Sequence, residues 1–170
     1  MSSTACKLRI SGIEPESIVD GPGFRYAIFT QGCPHACLGC HNPETHPFEG
    51  GTWMTVEELL AAIRKNPLLA GATFSGGEPF CQCKPLVALA EGVHNLGKTV
   101  VCYTGYTLEQ LVEKGKKEPA VLALLQSVDT LIDGPYIEAE RDLTLSFRGS
   151  ANQRVLTREE IRQCIMHHAS

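Results

Sequence analysis

Short apolar runs rich in β-branched residues alternate along the chain with segments whose apolar positions recur at helical spacing. The apolar runs predict six strands, over residues 7–13, 25–31, 72–75, 99–104, 130–133 and 153–156. Strands that alternate with helices are typical of a parallel sheet covered by helices. We therefore expect an α/β fold with about five to six parallel strands.

Three of the predicted helices begin at a threonine that has Glu or Gln three residues later, which is the capping-box pattern. These threonines are Thr55, Thr107 and Thr157. Helical spacing predicts two further helices over 84–96 and 120–127. A complete eight-unit barrel takes about 250 residues, so this chain has room for an open, partial barrel or a short wound sheet.

The composition agrees with a single domain that spans residues 1–170. The chain has 170 residues, 43% of them hydrophobic, and a formal net charge of −4. It has no run of Lys or Arg of the kind that binds nucleic acid, no apolar run long enough for a bilayer, and no export signal at its start. The sequence therefore predicts a cytoplasmic protein that binds neither nucleic acid nor membrane.

Three of the eight cysteines lie on one loop after the second predicted strand, as Cys33, Cys37 and Cys40. Thiolates at such a spacing are suited to iron–sulfur clusters, copper(I) or zinc. A four-iron cluster on three cysteines keeps one iron open for a reacting ligand, whereas an electron-transfer cluster is fully ligated by protein. The alternative is a structural zinc site completed by His35, His41 or a distant cysteine.

A glycine turn, Ser75-Gly76-Gly77-Glu78-Pro79, follows the next strand. Its glycines expose backbone N–H and C=O groups at the carboxyl end of the sheet, where α/β proteins bind ligands. Thr104 ends the strand after that. Four cysteines that follow the glycine turn show no ordered ligand spacing: Cys81, Cys83, Cys102 and Cys164. They are expected to be packing residues or unligated thiols.

Together, the cysteine loop and the glycine turn resemble the radical S-adenosylmethionine superfamily. The resemblance implies an open, partial β/α barrel and a [4Fe–4S] cluster on the three loop cysteines. It also implies that S-adenosylmethionine is held by Gly76, Gly77, Glu78, Thr104 and Asn42. In that superfamily one electron from the cluster cleaves S-adenosylmethionine into methionine and a 5′-deoxyadenosyl radical, which abstracts a hydrogen atom.

Further stretches resemble glycyl-radical activases, in particular the activating proteins of anaerobic ribonucleoside-triphosphate reductases. These stretches are residues 20–25, 40–42, 103–106, 133–134 and 148–153. The resemblance implies a reductase as protein substrate, a reduced flavodoxin or ferredoxin as electron donor, and anaerobic working conditions. It also implies support of the site or docking of the partner by Asp20, Arg25, Arg148 and Asn152.

Other functions stay open at this point. A pyruvate formate-lyase-type activase and 7-carboxy-7-deazaguanine synthase are small radical enzymes of the same superfamily, but the 148–153 stretch favours the reductase activases. A non-catalytic iron–sulfur or zinc module is the alternative from another class, and it would form no 5′-deoxyadenosine. Gly39 stands where many superfamily members have an aromatic residue, and no cysteine lies between Cys40 and Ser75 to form a ferredoxin-like insertion.

Overall fold

The computed structural model describes residues 6–35, 43–142 and 144–168. These residues form a mixed seven-stranded sheet in the order β3-β1-β2-β4-β5-β6-β7. The strands are β1 Lys7–Ser17, β2 Phe24–Thr30, β3 Thr52–Thr55, β4 Leu69–Gly76, β5 Thr99–Tyr103, β6 Thr130–Asp133 and β7 Arg154–Thr157. The same part of the chain forms the helices α1 Val56–Lys65, α2 Cys83–Asn95, α3 Leu108–Gly115, α4 Pro119–Ser127 and α5 Arg158–His167.

The α/β class is confirmed, and all six predicted strands are present. The expectation of about five to six parallel strands was wrong. Only β2, β4, β5 and β6 run parallel, whereas β1 and β3 at one edge and β7 at the other are antiparallel to their neighbours. A parallel neighbour needs a crossover, usually through a helix. The connections 18–23 and 134–153 contain no α-helix, so the chain returns antiparallel at both places.

Strand β3 was not predicted. It has four residues, and the first two are exposed while the others are half-buried, so it has no clear apolar alternation. It pairs with the start of β1, where Lys7 lies opposite Thr55. Thr55 also caps α1 by accepting a hydrogen bond from the backbone N–H of Glu58 at 3.1 Å. The two other predicted capping boxes, at Thr107 and Thr157, form in full.

The two faces of the sheet differ because successive strand residues point to opposite sides. Phe74 and Cys102 are fully buried in the core between the sheet and the helices. The residues that follow them, Ser75 and Tyr103, line a cavity instead. The parallel strands therefore anchor the core with one set of side chains and present the next set to the candidate site.

Arg25 at the start of β2 is fully buried. Its guanidinium donates to the hydroxyls of Thr73 and Thr99 at 3.2 and 2.8 Å, and to the carbonyls of Ala72 and Thr99 at 2.8 and 3.0 Å. A further bond reaches the carbonyl of Pro22, in the loop before β2. Burial lowers the pKa of Arg25 to about 10, which leaves the side chain charged at neutral pH. Arg25 therefore ties β2 to β4, β5 and its own leading loop.

Replacing Arg25 tests whether its hydrogen bonds stabilise the sheet. We expect Arg25→Ala to lower the free energy of unfolding by about 2–4 kcal/mol, because buried acceptors lose their donor and a cavity is left. Urea unfolding measures the difference. Arg162→Ala is the matched control, since that arginine is 60% exposed and its loss should cost no more than about 0.5 kcal/mol. Equal losses in the two variants would contradict a specific role for Arg25.

Candidate functional site

A cavity of about 560 Å³ opens at the ends of β4, β5 and β6. Parallel strands end at the same edge of a sheet, so the loops that follow them meet there. The cavity wall includes six residues that the sequence singles out: Asp20, Cys33, Gly76, Gly77, Thr104 and Arg148. Segments more than a hundred residues apart in sequence therefore converge on one site.

The residues on either side of the undescribed part of the cysteine loop are hydrogen-bonded to each other. The backbone N–H of Gly32 donates to the carbonyl of Thr45 at 2.6 Å, and that of Cys33 donates to the carbonyl of His46 at 3.0 Å. Cys33 and His46 both line the cavity. Three predicted site residues lie outside the described part of the chain, and their roles stay predictions: Cys37, Cys40 and Asn42.

The glycine turn lies directly against the strand that leads into the cysteine loop. The N–H of Gly77 donates to the carbonyl of Thr30, and the N–H of Glu78 to that of Gly32, both at 2.7 Å. Gly76 has a φ of 84°, and a Cβ there would lie 2.5 Å from the backbone N of Thr30. A Cβ on Gly77 would lie 2.3 Å from the carbonyl oxygen of Gly32. Only glycine fits at both positions, so the turn and the loop are held in backbone contact.

The Glu78 carboxylate is fully buried just behind this turn. It accepts hydrogen bonds from the backbone N–H of Phe80 at 3.0 Å and of Gly105 at 2.8 Å. The hydroxyl of Thr104 donates to both of its oxygens, at 3.0 and 2.9 Å. Nε2 of His35 lies 2.6 Å from Oε1. A carboxylate has about four acceptor positions, so these four groups already occupy it.

Glu78 thereby joins three loops. His35 belongs to the cysteine loop, Glu78 to the glycine turn, and Thr104 to the end of β5. The His35 ring also packs edge-on against Tyr106, with ring centroids 4.5 Å apart. The sequence-based interpretation considered His35 only as a zinc ligand, although its place between two loop cysteines was the signal that could have indicated a supporting role.

Asp20 lines the cavity and is fixed by its neighbours. Its carboxylate accepts a hydrogen bond from the Ser17 hydroxyl, and its backbone carbonyl accepts one from the Thr73 hydroxyl at 2.7 Å. Thr73 is also a partner of Arg25. Arg25 therefore supports Asp20 from behind rather than lining the cavity itself.

The 148–153 stretch divides its residues between the cavity wall and its own loop. Arg148, Gly149 and Gln153 line the cavity. Asn152 instead donates to the carbonyl of Pro135 at 2.8 Å and accepts from the Ser150 hydroxyl at 2.6 Å, so it holds the loop together. Gln153 belongs to the 148–153 stretch and lines the cavity, but it is not among the residues that the sequence predicts to support the site.

Two of the other cysteines, Cys83 and Cys102, are packing residues, whereas Cys81 is exposed and Cys164 half-buried. Cys83 is buried, its thiol donates to the carbonyl of Phe80 at 3.1 Å, and burial raises its pKa to about 12. Cys102 is fully buried, and burial raises its pKa as well. A thiol held protonated is a poor metal ligand. Among the described residues, no group of three or more His, Cys, Asp or Glu side chains is arranged to hold a metal.

Comparison with known proteins identifies the family of the chain. Residues 19–156 match the family described as a 4Fe–4S single cluster domain. An anaerobic ribonucleoside-triphosphate reductase-activating protein of Vibrio cholerae is 33% identical over 147 residues, which cover 82% of this chain and 91% of that protein. The protein of the same name from Haemophilus influenzae is 32% identical over 147 residues, with the same coverage of both chains.

Two further proteins are similar over part of their length. A pyruvate formate-lyase-activating enzyme of Clostridium pasteurianum is 37% identical over 131 residues, covering 71% of this chain and 53% of that enzyme. The crystal structure of QueE from Escherichia coli aligns with a TM-score of 0.47 and 22% identity, covering 59% of this chain and 54% of that one. In the described part of the chain, no helix has the length and apolar character needed to cross a membrane.

The hydrogen bonds of Glu78 lead to the first prediction for this site. We expect Glu78→Ala to lower both the free energy of unfolding, by about 1–3 kcal/mol, and the iron bound after reconstitution, because buried donors lose their common acceptor. Thermal unfolding and iron analysis measure the two effects. Glu78→Gln retains one acceptor oxygen and is expected to fall between Glu78→Ala and wild type. Wild-type iron content in Glu78→Ala would contradict a link between this carboxylate and the cysteine loop.

The cysteines generate the second prediction. We expect Cys37→Ala to abolish the iron and sulfide of the reconstituted protein, since the loop would keep only two thiolates. The matched variant Cys81→Ser with Cys83→Ala is expected to load like wild type, because neither cysteine belongs to the loop. Iron and sulfide assays, with the visible absorption of the cluster, distinguish the two. Loss of iron from the paired variant would assign Cys81 or Cys83 to the cluster.

Proposed function

The chain belongs to the 4Fe–4S single cluster domain family and to the anaerobic ribonucleoside-triphosphate reductase-activating proteins, and we propose that its own protein substrate is a reductase of this kind. It is a radical S-adenosylmethionine activating enzyme with one [4Fe–4S] cluster and S-adenosylmethionine as cofactors. The observation that supports the proposed substrate is the convergence of the cysteine loop, the glycine turn and the 148–153 stretch on one open cavity.

The described residues fit these cofactors. Cys33 lies in the cavity wall beside the backbone edge of Gly76 and Gly77, so a cluster held by Cys33, Cys37 and Cys40 would adjoin that edge. The turn would bind the ammonium group of S-adenosylmethionine through its backbone carbonyls. Because the Glu78 carboxylate already accepts four hydrogen bonds, its proposed part is to hold the turn, with Thr104 fixed beside it.

The cluster and S-adenosylmethionine, when bound, supply a one-electron cleavage that yields methionine and a 5′-deoxyadenosyl radical. The protein's part would be to admit a backbone glycine of the reductase into the cavity beside the cofactors. The bound cofactors would then supply the radical that takes a hydrogen atom from the glycine Cα. The products would be 5′-deoxyadenosine and a glycyl radical, one stored radical for each electron from the donor.

We extend the proposal to the setting of this reaction. The sheet would form a partial β/α barrel whose lateral opening admits a protein loop, and residues 1–170 would act as one domain. The electron donor would be a reduced flavodoxin or ferredoxin, and the protein would work in the cytoplasm without oxygen. Asn42 would help to hold S-adenosylmethionine, as the resemblance of the 40–42 stretch to glycyl-radical activases implies.

The similarity to a pyruvate formate-lyase-activating enzyme favours a second candidate substrate. The identity there is 37%, against 33% for the Vibrio cholerae reductase activator. That alignment covers only 53% of the lyase activator, however, whereas 91% of the reductase activator is covered. The coverage supports the reductase as the first substrate to test.

The test is anaerobic reconstitution followed by chemical reduction with S-adenosylmethionine and a candidate reductase from the same source. We expect 5′-deoxyadenosine together with a glycyl doublet on the reductase in electron paramagnetic resonance. A pyruvate formate-lyase run in parallel is expected to give no doublet. Deoxyadenosine without a reductase doublet would overturn the proposed substrate, and the absence of both, with zinc in place of iron, would overturn the enzyme assignment.

A further inference from the structure

We infer that four residues of the cavity wall, Ile18, Val19, Phe147 and Arg148, form a docking rim for the glycine-bearing segment of the partner protein. The inference rests on the proposed function and identifies the part of the site that would recognise the protein substrate. The rim takes a peptide segment that offers an apolar side chain to Ile18 and Val19, and a carboxylate to Arg148. All four residues line the same cavity as Cys33 and the glycine turn.

The apolar part of the rim is exposed but held in place. Ile18 is 69% and Val19 is 71% exposed, although both are large hydrophobic side chains. The loop that bears them is anchored, because the backbone N–H of Val19 donates to the Ser17 hydroxyl at 3.3 Å and Asp20 is bonded to Thr73. Adjacent apolar side chains that a fixed loop keeps in solvent are typical of surfaces that become covered on binding.

Arg148 supplies the polar part of the rim. One of its terminal nitrogens donates to the carbonyl of Gln153 at 3.2 Å, while its Nε is buried without an acceptor. Arg148 forms no ion pair with a carboxylate of the described residues, although hydrogen bonds from Thr144 and, to a smaller extent, the charge of Arg148 lower the pKa of Asp142. An arginine that lines a cavity without a carboxylate in direct contact has donors left for an incoming carboxylate, which it can bind in a planar, two-point geometry.

The backbone next to Arg148 adopts an uncommon conformation. Phe147 has a φ of 63°, the only positive φ among the described non-glycine residues. Such conformations cost free energy and persist where the surrounding structure imposes them, often at ligand sites. The conformation places Phe147 and Arg148 together in the cavity wall, so one segment contributes both an aromatic ring and a cation to the rim.

A peptide segment fits the position of the rim better than a cofactor does. Cys33 and Gly77 mark the cofactor end of the cavity, where the cysteine loop and glycine turn are in backbone contact. Ile18 and Val19 are exposed hydrophobic residues of its wall and hence face solvent. A protein whose glycine must reach the cofactors enters from the solvent that these side chains face. The exposed side chains would then be covered by the segments that flank the glycine.

The test compares the affinity of rim variants for the candidate reductase. Each variant is reconstituted anaerobically, and its iron content is matched to wild type before the dissociation constant is measured by calorimetry. We expect Ile18→Ser with Val19→Ser to weaken binding at least about tenfold, as loss of an apolar anchor does. We expect Arg148→Gln to weaken it about tenfold and Arg148→Lys to weaken it less, since lysine keeps the charge but not the planar geometry.

The matched control is Leu68→Ser with Met166→Ser. These residues are 72% and 69% exposed and do not line this cavity, so their replacement should leave the dissociation constant unchanged. Rim variants that bind like wild type, or control variants that bind as weakly as rim variants, would overturn the docking rim alone. Self-association of the chain that the rim variants abolish would assign the rim to a second copy instead. If wild type neither binds nor activates the reductase, the proposed function fails and the inference fails with it.

Discussion

The site depends on one buried carboxylate. Glu78 lies where the cysteine loop, the glycine turn and the end of β5 meet, and its hydrogen bonds to His35, Thr104 and Gly105 hold the three segments together. A buried carboxylate is costly unless its acceptor positions are occupied. All the donors to Glu78 among the described residues come from the cysteine loop, from the residues just after the glycine turn and from the end of β5. The free energy spent on desolvating Glu78 is therefore offset only when all three loops are in place.

The connections to the antiparallel edge strands add walls to the cavity that lies at the ends of the parallel strands. The four parallel strands bring Cys33, Gly76 and Thr104 to one edge, as expected for an α/β sheet. The side walls come from the connections 18–23 and 134–153, which contain no α-helix and join antiparallel strands. A fully parallel sheet would put helices at these two places. The departure from the expected topology thus places Asp20 and Arg148 at the cavity.

The sequence could predict the parts of this structure that rest on local patterns. Strand and helix positions followed from apolar spacing, and the caps at Thr107 and Thr157 followed from side chains three residues apart. Strand direction and the contacts of Glu78 could not be predicted, since both depend on pairings between distant segments. His35 and Gln153 were missed for the same reason. Each stands inside a recognised motif, but its partner lies 43 or 19 residues away.

Three arginines show why residue type alone does not assign a role. Arg25 is fully buried and saturated by hydroxyls and carbonyls. Arg154 is paired with two carboxylates, Asp133 and Glu109, and these contacts raise its pKa. Arg148 has one carbonyl partner and no ion pair among the described residues. Of these three, only Arg148 combines a place in the cavity wall with donors to spare. Arg148 therefore has donors available for a molecule that enters the cavity, whereas Arg25 and Arg154 stabilise the surrounding fold.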